Sequence, residues 1–202
     1  TGDADLTVSS LDALVATLTS SAFTGDLTLT SDRTLAFTAT TGSGDDTITS
    51  NSTAAQIIST GAGADSYTGG STVADSITLG AGNDSVTIAT ANLTSVDTIA
   101  GGAGTDSIVM SNAATVVDAD FTLVTGVEKI SSGNNGLVLT LGSASQAAGL
   151  TTVTDGTGVS NVSIGSAHTG DVTVSLSTGN DTVNATVASN DLYTGALTVT
   201  AA

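Results

Sequence analysis

A short glycine–aspartate motif returns at nearly constant spacing and constrains the fold of this chain more than any other feature. Four copies of Gly-x-Gly-x-Asp begin 19, 19 and 22 residues apart, at Gly42, Gly61, Gly80 and Gly102. A fifth copy, residues 177–181, has lost its first glycine. Weaker matches continue the spacing of about twenty residues towards both ends of the chain, at Gly2, Gly25, Gly133, Gly156 and Gly195.

Each interval between motifs reads as a turn, a short strand, a looser turn and a second strand. In the second clear copy, Gly61–Asp65 is the turn and Ser66–Thr68 the strand, followed by a turn at Gly69–Ala74 and a strand at Asp75–Leu79. Apolar residues alternate along such strands, which gives each of them one inward face. A unit of this size buries that face only by stacking on its neighbours. The sequence therefore predicts an all-β fold, a parallel β-solenoid of about nine coils of roughly 20 residues each.

Three segments depart from the strand pattern and predict short helical inserts at the corners of the coils. Residues 10–19 space their apolar side chains as a helix does, and residues 118–126 and 143–149 both run from a capping residue to a terminal glycine. We expect one continuous solenoid over residues 1–202. It comprises N-terminal coils at 1–41, motif-bearing coils at 42–110 and coils with inserts at 111–202.

The acidic residues are biased in a way that solubility alone does not explain. Nineteen residues are acidic, the only glutamate is Glu128, and the net charge is −17. Aspartate, unlike glutamate, closes turns and ligates hard cations from a tight loop. Such acidity argues against nucleic acid and anionic membrane surfaces as partners. No apolar run is long enough to span a bilayer, and the absence of cysteine excludes disulfides.

Stacking explains why the motif repeats. One turn offers too few oxygen atoms for calcium, which takes about 6–8 ligands, whereas two turns stacked one coil apart offer enough. The spacing places Asp65 over Asp46, and Asp84 over Asp65, with backbone carbonyls between them. These carboxylates would repel one another without a cation and become ligands with one.

The motif resembles the nonapeptide G-G-x-G-x-D-x-U-x of the hemolysin-type, or RTX, calcium-binding β-roll. Residues 101–109, GGAGTDSIV, match every defined position, and the copies at 41–49, 60–68 and 79–87 lack only the first glycine. The resemblance implies that the first six residues form a calcium-binding turn and the last three a strand. It implies Ca²⁺ between successive turns, held by Gly42, Gly44, Asp46, Gly61, Gly63, Asp65, Gly80, Gly82, Asp84, Gly102, Gly104 and Asp106.

Three further aspartates are secondary candidates for metal binding. Asp75 and Asp97 lie on the opposite side of the coils without glycines, so we expect them mainly to cap turns. Asp181 belongs to the incomplete fifth copy, which stacks on a turn without aspartate. His168, the single histidine, is expected in a surface loop, and Glu128 is expected to pair with Lys129.

The function that these features favour is structural. We expect an extracellular calcium-binding module of a bacterial surface layer, adhesin or matrix fibre, which folds and self-assembles on binding calcium. The resemblance also implies type I secretion. Both ends of the chain resemble the start of a coil, so we expect either copies that pack head to tail or a fragment of a longer solenoid. A cell-surface polysaccharide is another candidate partner. No arrangement of side chains suggests an enzyme.

Other functions remain open at this stage. The chain could be the folding or secretion domain of a type I-secreted enzyme or toxin, which a catalytic motif elsewhere in the parent gene would reveal. A ligand-binding adhesin domain is disfavoured because aromatic residues are few. Thr-x-Thr pairs such as Thr28/Thr30 and Thr47/Thr49 suit an ice-binding face. We disfavour that function because the pairs do not recur coil after coil.

Overall fold

The protein is a β-solenoid, as the sequence predicts. A computed structural model describes residues 2–185 and 193–201. The chain winds through about nine turns of parallel strands, with one α-helix and two isolated 3-10 turns among the described residues. We call each turn of the solenoid a coil.

The strands are short and their bounds follow the repeat. In chain order they are β1 (Leu6–Leu11), β2 (Thr17–Thr19), β3 (Leu27–Ser31), β4 (Phe37–Thr40), β5 (Thr47–Ser50), β6 (Gln56–Ala62), β7 (Ser66–Gly69), β8 (Ser76–Ala81), β9 (Ser85–Ile88), β10 (Thr98–Ala103), β11 (Ser107–Met110), β12 (Ala114–Val116), β13 (Val124–Thr125), β14 (Lys129–Ser131), β15 (Leu137–Leu141), β16 (Thr152–Thr154), β17 (Asn161–Ile164), β18 (Val172–Leu176), β19 (Thr182–Asn184) and β20 (Leu197–Ala201). The helix α1 is Ser143–Ala148, and the 3-10 turns are Thr90–Asn92 and Asp118–Phe121.

Three parallel sheets form the faces of the solenoid. Sheet A runs along all the described coils in the order β1-β3-β5-β7-β9-β11-β14-β16-β18-β20. Sheet B contains β2, β4, β6, β8, β10 and β13, and sheet C contains β12, β15, β17 and β19. The early coils thus contribute strands to sheets A and B, and the later coils contribute strands to sheets A and C.

The core is built from rows of identical positions stacked one coil apart. In sheet B, Ile58 pairs with Ile77, which pairs with Ile99, and all three are at most 1% exposed. Sheet A supplies the facing row, whose buried members are Leu29, Ile48, Tyr67, Val86, Ile108, Ile130, Val153 and Val174. The in-register pairing places each apolar side chain against its counterpart in the next coil, so burial requires the stack.

The outward face of sheet A carries two rows of mostly threonine and serine side chains, although the Thr-x-Thr pair itself does not recur in every coil. Thr28 and Thr30 pair with Thr47 and Thr49, and the registers continue through β20. Only Lys129 and Val109 interrupt the rows, whose other members from β3 onward are Thr28, Thr47, Ser66, Ser85, Ser107, Thr152, Thr173 and Thr198, and Thr30, Thr49, Thr68, Thr87, Ser131, Thr154, Ser175 and Thr200. Serine replaces threonine at several positions of the middle coils, so a search for Thr-x-Thr pairs does not find these rows.

The predicted helix at residues 10–19 is wrong, because this segment contains the end of β1 and all of β2. The side chain of Asp12 accepts a hydrogen bond from the Leu14 amide, and its carbonyl accepts one from the Val15 amide, so the chain turns there. Leu14, which would lie on the apolar helix face, is 88% exposed. Parallel pairing of Leu18 with Ala39 outweighs the helical spacing.

The other two helical inserts are confirmed in part. Residues 118–126 form only a 3-10 turn followed by β13, whereas residues 143–149 contain α1 and end at Gly149, whose φ is +104°. The N-terminus of α1 is capped from a distance: the Asp118 carboxylate accepts hydrogen bonds from the amides of Gly142, Ala144 and Ser145. Burial opposes ionisation of Asp118, but these amides outweigh it and lower its pKa.

The exchange of sheets takes place around this helix. Strand β13 is the last strand of sheet B, and α1 packs against β13 and against the 3-10 turn Asp118–Phe121. The helix therefore covers the edge that sheet B would otherwise expose, which protects it from pairing with another strand. Sheet C begins with β12 in the same coil as β13 and continues through the later coils, in which no described strand extends sheet B.

We expect two adjacent isoleucines of β6 to differ sharply in their contribution to stability. Ile58→Ala should lower the free energy of unfolding by about 2–5 kcal/mol, because it opens a cavity in the stacked row. Ile57→Ala is the matched control, since Ile57 is 56% exposed, and should cost less than about 1 kcal/mol. Urea denaturation followed by far-UV circular dichroism measures both, and equal losses would contradict the assigned register.

Candidate functional site

The four glycine–aspartate turns occupy one corner of the solenoid, between the end of sheet B and the start of sheet A. Strands β6, β8 and β10 continue into the turns as far as Ala62, Ala81 and Ala103. Gly61 pairs with Gly80, and Gly80 pairs with Gly102, so the turns stack in strict register. The structure thus brings the four predicted motifs together in one column.

Glycine is required in these turns because backbone lies directly on backbone. Gly63 has a φ of +131°, a conformation that side chains strongly disfavour. A Cβ atom at Gly63 would also overlap the carbonyl oxygen of Gly44 in the preceding coil. The same overlap would arise at Gly61 over Gly42 and at Gly82 over Gly63.

The motif aspartates form a continuous series of hydrogen bonds, which we call the inner ladder. In each rung a carboxylate oxygen accepts the backbone amide of the corresponding residue in the preceding coil. The N···O distances are 2.8 Å for Leu27–Asp46, 2.8 Å for Asp46–Asp65, 2.7 Å for Asp65–Asp84, 2.8 Å for Asp84–Asp106 and 2.8 Å for Asp106–Glu128. The stacked register thus satisfies one oxygen atom of every carboxylate in the column.

The second oxygen of each motif aspartate is left without a partner. The side chains of Asp46, Asp65, Asp84 and Asp106 are at most 2% exposed. In all four, Oδ2 is buried and makes no hydrogen bond within the structure. An ionised carboxylate in this situation is costly, because water is excluded and no donor replaces it. Such an oxygen calls for a proton or a cation.

The pKa values follow from this burial. Desolvation raises the pKa of Asp65 to about 6, against the lowering effect of the hydrogen bond from the Asp46 amide. The neighbouring charges of Asp84 and Asp46 raise it further. Desolvation likewise raises the pKa of Asp84 and of Asp106. The folded turn column therefore opposes the accumulation of negative charge along its axis.

A second series of hydrogen bonds runs in the opposite direction on the exposed side of the same corner. We call it the outer ladder: a side-chain oxygen accepts the amide of the next coil instead of the preceding one. Asp26 accepts from Asp45 at 2.8 Å, and Asp45 accepts from Ala64 at 2.7 Å. The remaining acceptors are Asp5, Asn83 and Asp171. Adjacent residues such as Asp45 and Asp46 therefore have different environments: Asp45 is exposed to solvent and Asp46 is buried.

Asp75 and Asp97 cap turns at the opposite corner, as the sequence predicts. Oδ1 of Asp75 accepts the Gln56 amide, and Oδ2 accepts the Ser71 amide. Oδ1 of Asp97 accepts the Asp75 amide, and Oδ2 accepts both the amide and the hydroxyl of Thr94. Both oxygens of each carboxylate are satisfied, so these residues are poorer candidates for metal binding than the motif aspartates.

Asp181 lies at a different corner from the four main motifs. Its turn leads into β19 of sheet C, and Oδ1 of Asp181 accepts the amide of Ser160 in the preceding coil. Ser160 in turn accepts the Leu137 amide through its hydroxyl. This corner therefore has the same hydrogen-bond pattern as the inner ladder, with the Ser160 hydroxyl in place of one aspartate carboxylate. The structure does not bring Asp181 into the main column.

Sequence reasoning missed Glu128 as a rung of the inner ladder. The sequence predicts a local ion pair with Lys129, whereas the Glu128 carboxylate accepts the Asp106 amide of the preceding coil. The signal was present in the spacing, because Glu128 follows Asp106 by 22 residues, as Asp106 follows Asp84. No glycine motif accompanies Glu128, which is why a search for the motif passes over it.

His168 is buried and does not lie in a surface loop, so that expectation is wrong. Its exposure is 1%, and Nδ1 lies 3.2 Å from the carbonyl oxygen of Gly142 and 3.3 Å from Oγ of Ser145. Burial lowers its pKa, although the Gly142 carbonyl raises it. His168 therefore packs as a neutral side chain against the N-terminus of α1.

The donor chemistry of the column suits a hard cation. Carboxylate oxygens without partners and backbone carbonyls in register are the ligand types that Ca²⁺ prefers. Among residues 2–185 and 193–201, no three acidic or histidine side chains converge on one point. A cation here would bind one or two carboxylates and complete its coordination with carbonyls and water.

Comparisons with known proteins add no assignment. No protein-family model, curated protein or solved structure matches the chain. No helix in the described part of the chain is long and apolar enough to cross a bilayer. The functional argument therefore depends on the geometry of the turn column itself.

Replacing one buried carboxylate should stabilise the metal-free protein at neutral pH. In EDTA at pH 7.5, Asp65→Asn should show a larger folded fraction by far-UV circular dichroism than the wild type, because it keeps an acceptor for the Asp46 amide and removes an uncompensated charge. Since folding raises the pKa of Asp65 to about 6, the wild type gains stability as pH falls through that value, and the gain is complete below the unfolded pKa of about 3.9.

The difference between the two proteins should therefore shrink between about pH 7 and pH 4. Comparing the variant with the wild type at each pH cancels contributions from other groups, such as His168. A variant that is less stable than the wild type by the same amount at every pH would show that Asp65 is not destabilised by its charge.

Proposed function

We propose that this chain is a structural calcium-binding module of an extracellular bacterial protein, a surface layer, adhesin or matrix fibre, whose folding depends on calcium. The observation that carries the proposal is the column of four buried carboxylates with unpartnered oxygens. The register of the glycine turns and the resemblance of residues 101–109 to the RTX nonapeptide support it. The module would act by forming a stiff rod and not by catalysis.

The electrostatics of the column favour a divalent cation over permanent protonation at neutral pH. Burial raises the pKa of Asp65 to about 6, so this side chain is mostly ionised at pH 7. Each charge then faces another charge one coil away, about 4.8 Å along the stack. A cation between turns removes the repulsion and satisfies Oδ2 at once.

Calcium dependence would restrict folding of the chain to the outside of the cell, where calcium is abundant. A chain with a net charge of −17 remains expanded where calcium is scarce, and it gains a compact state where the ion is abundant. This behaviour suits secretion in an unfolded form, as in type I export, followed by folding outside the cell. It suits equally the alternative that the chain is the folding domain of a secreted enzyme or toxin.

Self-assembly is part of the same proposal. Strands β1 and β20 are the first and last strands of sheet A in the described part of the chain, and a parallel strand of another copy would continue the sheet at either one. Head-to-tail packing of copies would continue the stack. A polysaccharide of the cell surface is a candidate partner for the hydroxyl-rich outward face.

Removal of the Asp46 charge should weaken the response to calcium, whereas removal of the neighbouring Asp45 charge should not. We expect calcium added to EDTA-treated wild type to raise the thermal unfolding midpoint and the β signal in far-UV circular dichroism, with magnesium far less effective. Asp46→Asn should shift the calcium midpoint at least about tenfold higher, because the variant loses a charged ligand.

Asp45→Asn is the matched control, since Asp45 is exposed, belongs to the outer ladder and keeps its acceptor for the Ala64 amide. Its calcium midpoint should change less than about threefold, in line with a screened surface charge. If calcium leaves the spectrum and the unfolding midpoint of the wild type unchanged, the solenoid folds without metal and the proposed gating is wrong.

Ice binding is a second candidate, favoured by the two hydroxyl rows on the outward face of sheet A. Their spacing is about 4.8 Å between coils and about 6.7 Å along each strand, which gives a regular array of hydroxyl and methyl groups. The wild type would then show thermal hysteresis in calcium-containing buffer, and Thr49→Tyr with Thr87→Tyr would abolish it by breaking the rows. Absence of hysteresis in the folded wild type would exclude this function.

A further inference from the structure

The inner ladder ends at Glu128 in a setting unlike that of its aspartate rungs. Because Ser107 pairs with Lys129, Glu128 stands in register with Asp106. Its Oε2 atom accepts the Asp106 amide at 2.8 Å, as each aspartate carboxylate does one coil earlier. The only glutamate of the chain thus occupies the aspartate position in a coil that has no Gly-x-Gly-x-Asp sequence.

Two acceptor oxygens meet beside Gly101. A Cβ atom placed on Gly101 would lie 2.5 Å from Oδ2 of Asp106 and closer still to the carbonyl oxygen of Gly126. Gly101 is the leading glycine that the other three motif copies lack. It leaves room for the carboxylate and the carbonyl to share one small space.

These two oxygens cannot satisfy each other. A carbonyl oxygen and an ionised carboxylate are both acceptors, so they repel when placed together away from water. Asp106 is fully buried, and its Oδ2 has no hydrogen-bond partner. The carboxylate of Glu128 adds a second negative charge to the same end of the column. A cation among these groups would satisfy Oδ2 of Asp106 and remove the repulsion between the two carboxylates.

We propose that a further Ca²⁺ binds at this end of the column, held by Oδ2 of Asp106, the carbonyl oxygen of Gly126 and the carboxylate of Glu128. This inference rests on the proposed function and adds a site that the motif does not mark. Two carboxylates and a carbonyl supply charge and hard oxygen ligands, and water completes the coordination. Glu128 thereby terminates the cation column with a site of its own.

The test is the number of calcium ions bound per chain, measured by isothermal titration calorimetry and by equilibrium dialysis of EDTA-treated full chain. Glu128→Gln keeps a side-chain oxygen for the Asp106 amide and loses the charge. We expect this variant to bind one calcium ion fewer than the wild type, or to bind one ion at least tenfold more weakly. Asp171→Asn, an exposed carboxylate of the outer ladder, is the matched control and should bind as the wild type does.

The outcomes separate this inference from the proposed function. If the wild type binds calcium and Glu128→Gln binds the same number with the same affinities, the terminal site is wrong and the proposed function stands. If the wild type binds no calcium, the proposed function fails and the terminal site fails with it. Should Glu128→Gln not fold, Glu128→Asp keeps the charge, and wild-type stoichiometry in that variant supports the site. Loss of one ion from Asp171→Asn as well would overturn it.

Discussion

Backbone stacked on backbone in parallel register is the constraint on which the rest of this structure depends. Neighbouring coils are about 4.8 Å apart, so each side chain meets its counterpart one coil away. For apolar residues this is favourable, and Ile58, Ile77 and Ile99 form a continuous buried row. For acidic residues the same rule places like charges on one another in a region without water. The glycine turns make the approach possible, because any Cβ there would overlap the carbonyl beneath.

Two corners of the solenoid solve the problem of stacked aspartates differently. At the corner of Asp75 and Asp97, both oxygens of each carboxylate accept local amides or hydroxyls. At the glycine corner, one oxygen accepts an amide and the other has no partner. The difference between the corners is hydrogen-bonding capacity and not charge. If the proposed function is right, a cation satisfies the second carboxylate oxygen at the glycine corner, whereas amides and hydroxyls of the turn satisfy it at the other corner.

The repeat spacing was sufficient to predict the solenoid and the stacking of the four motifs, because a period of about twenty residues leaves few other ways to bury the inward faces. Local patterns were less reliable. Residues 10–19 have helical spacing, yet pairing in a sheet outweighs it. The exposure of His168 and the role of Glu128 depend on residues about one coil away, such as Gly142 and Asp106, and no local pattern contains that information. The end of sheet B at β13 is likewise not marked by a local pattern, because it coincides with the packing of α1 from the next coil.

The inner ladder ends where the sheets are exchanged, and a single cause accounts for both. Strands β6, β8 and β10 of sheet B run on into the glycine turns and so align the carbonyls of successive coils. Strand β13 ends at Thr125, just before Gly126, and α1 covers it. The next coil has no sheet B strand to lead into such a turn, and Thr151 follows Glu128 at the corner. The column of stacked buried acids therefore extends as far along the solenoid as sheet B does, and the core of the later coils includes buried apolar side chains such as Leu139, Val162 and Val174.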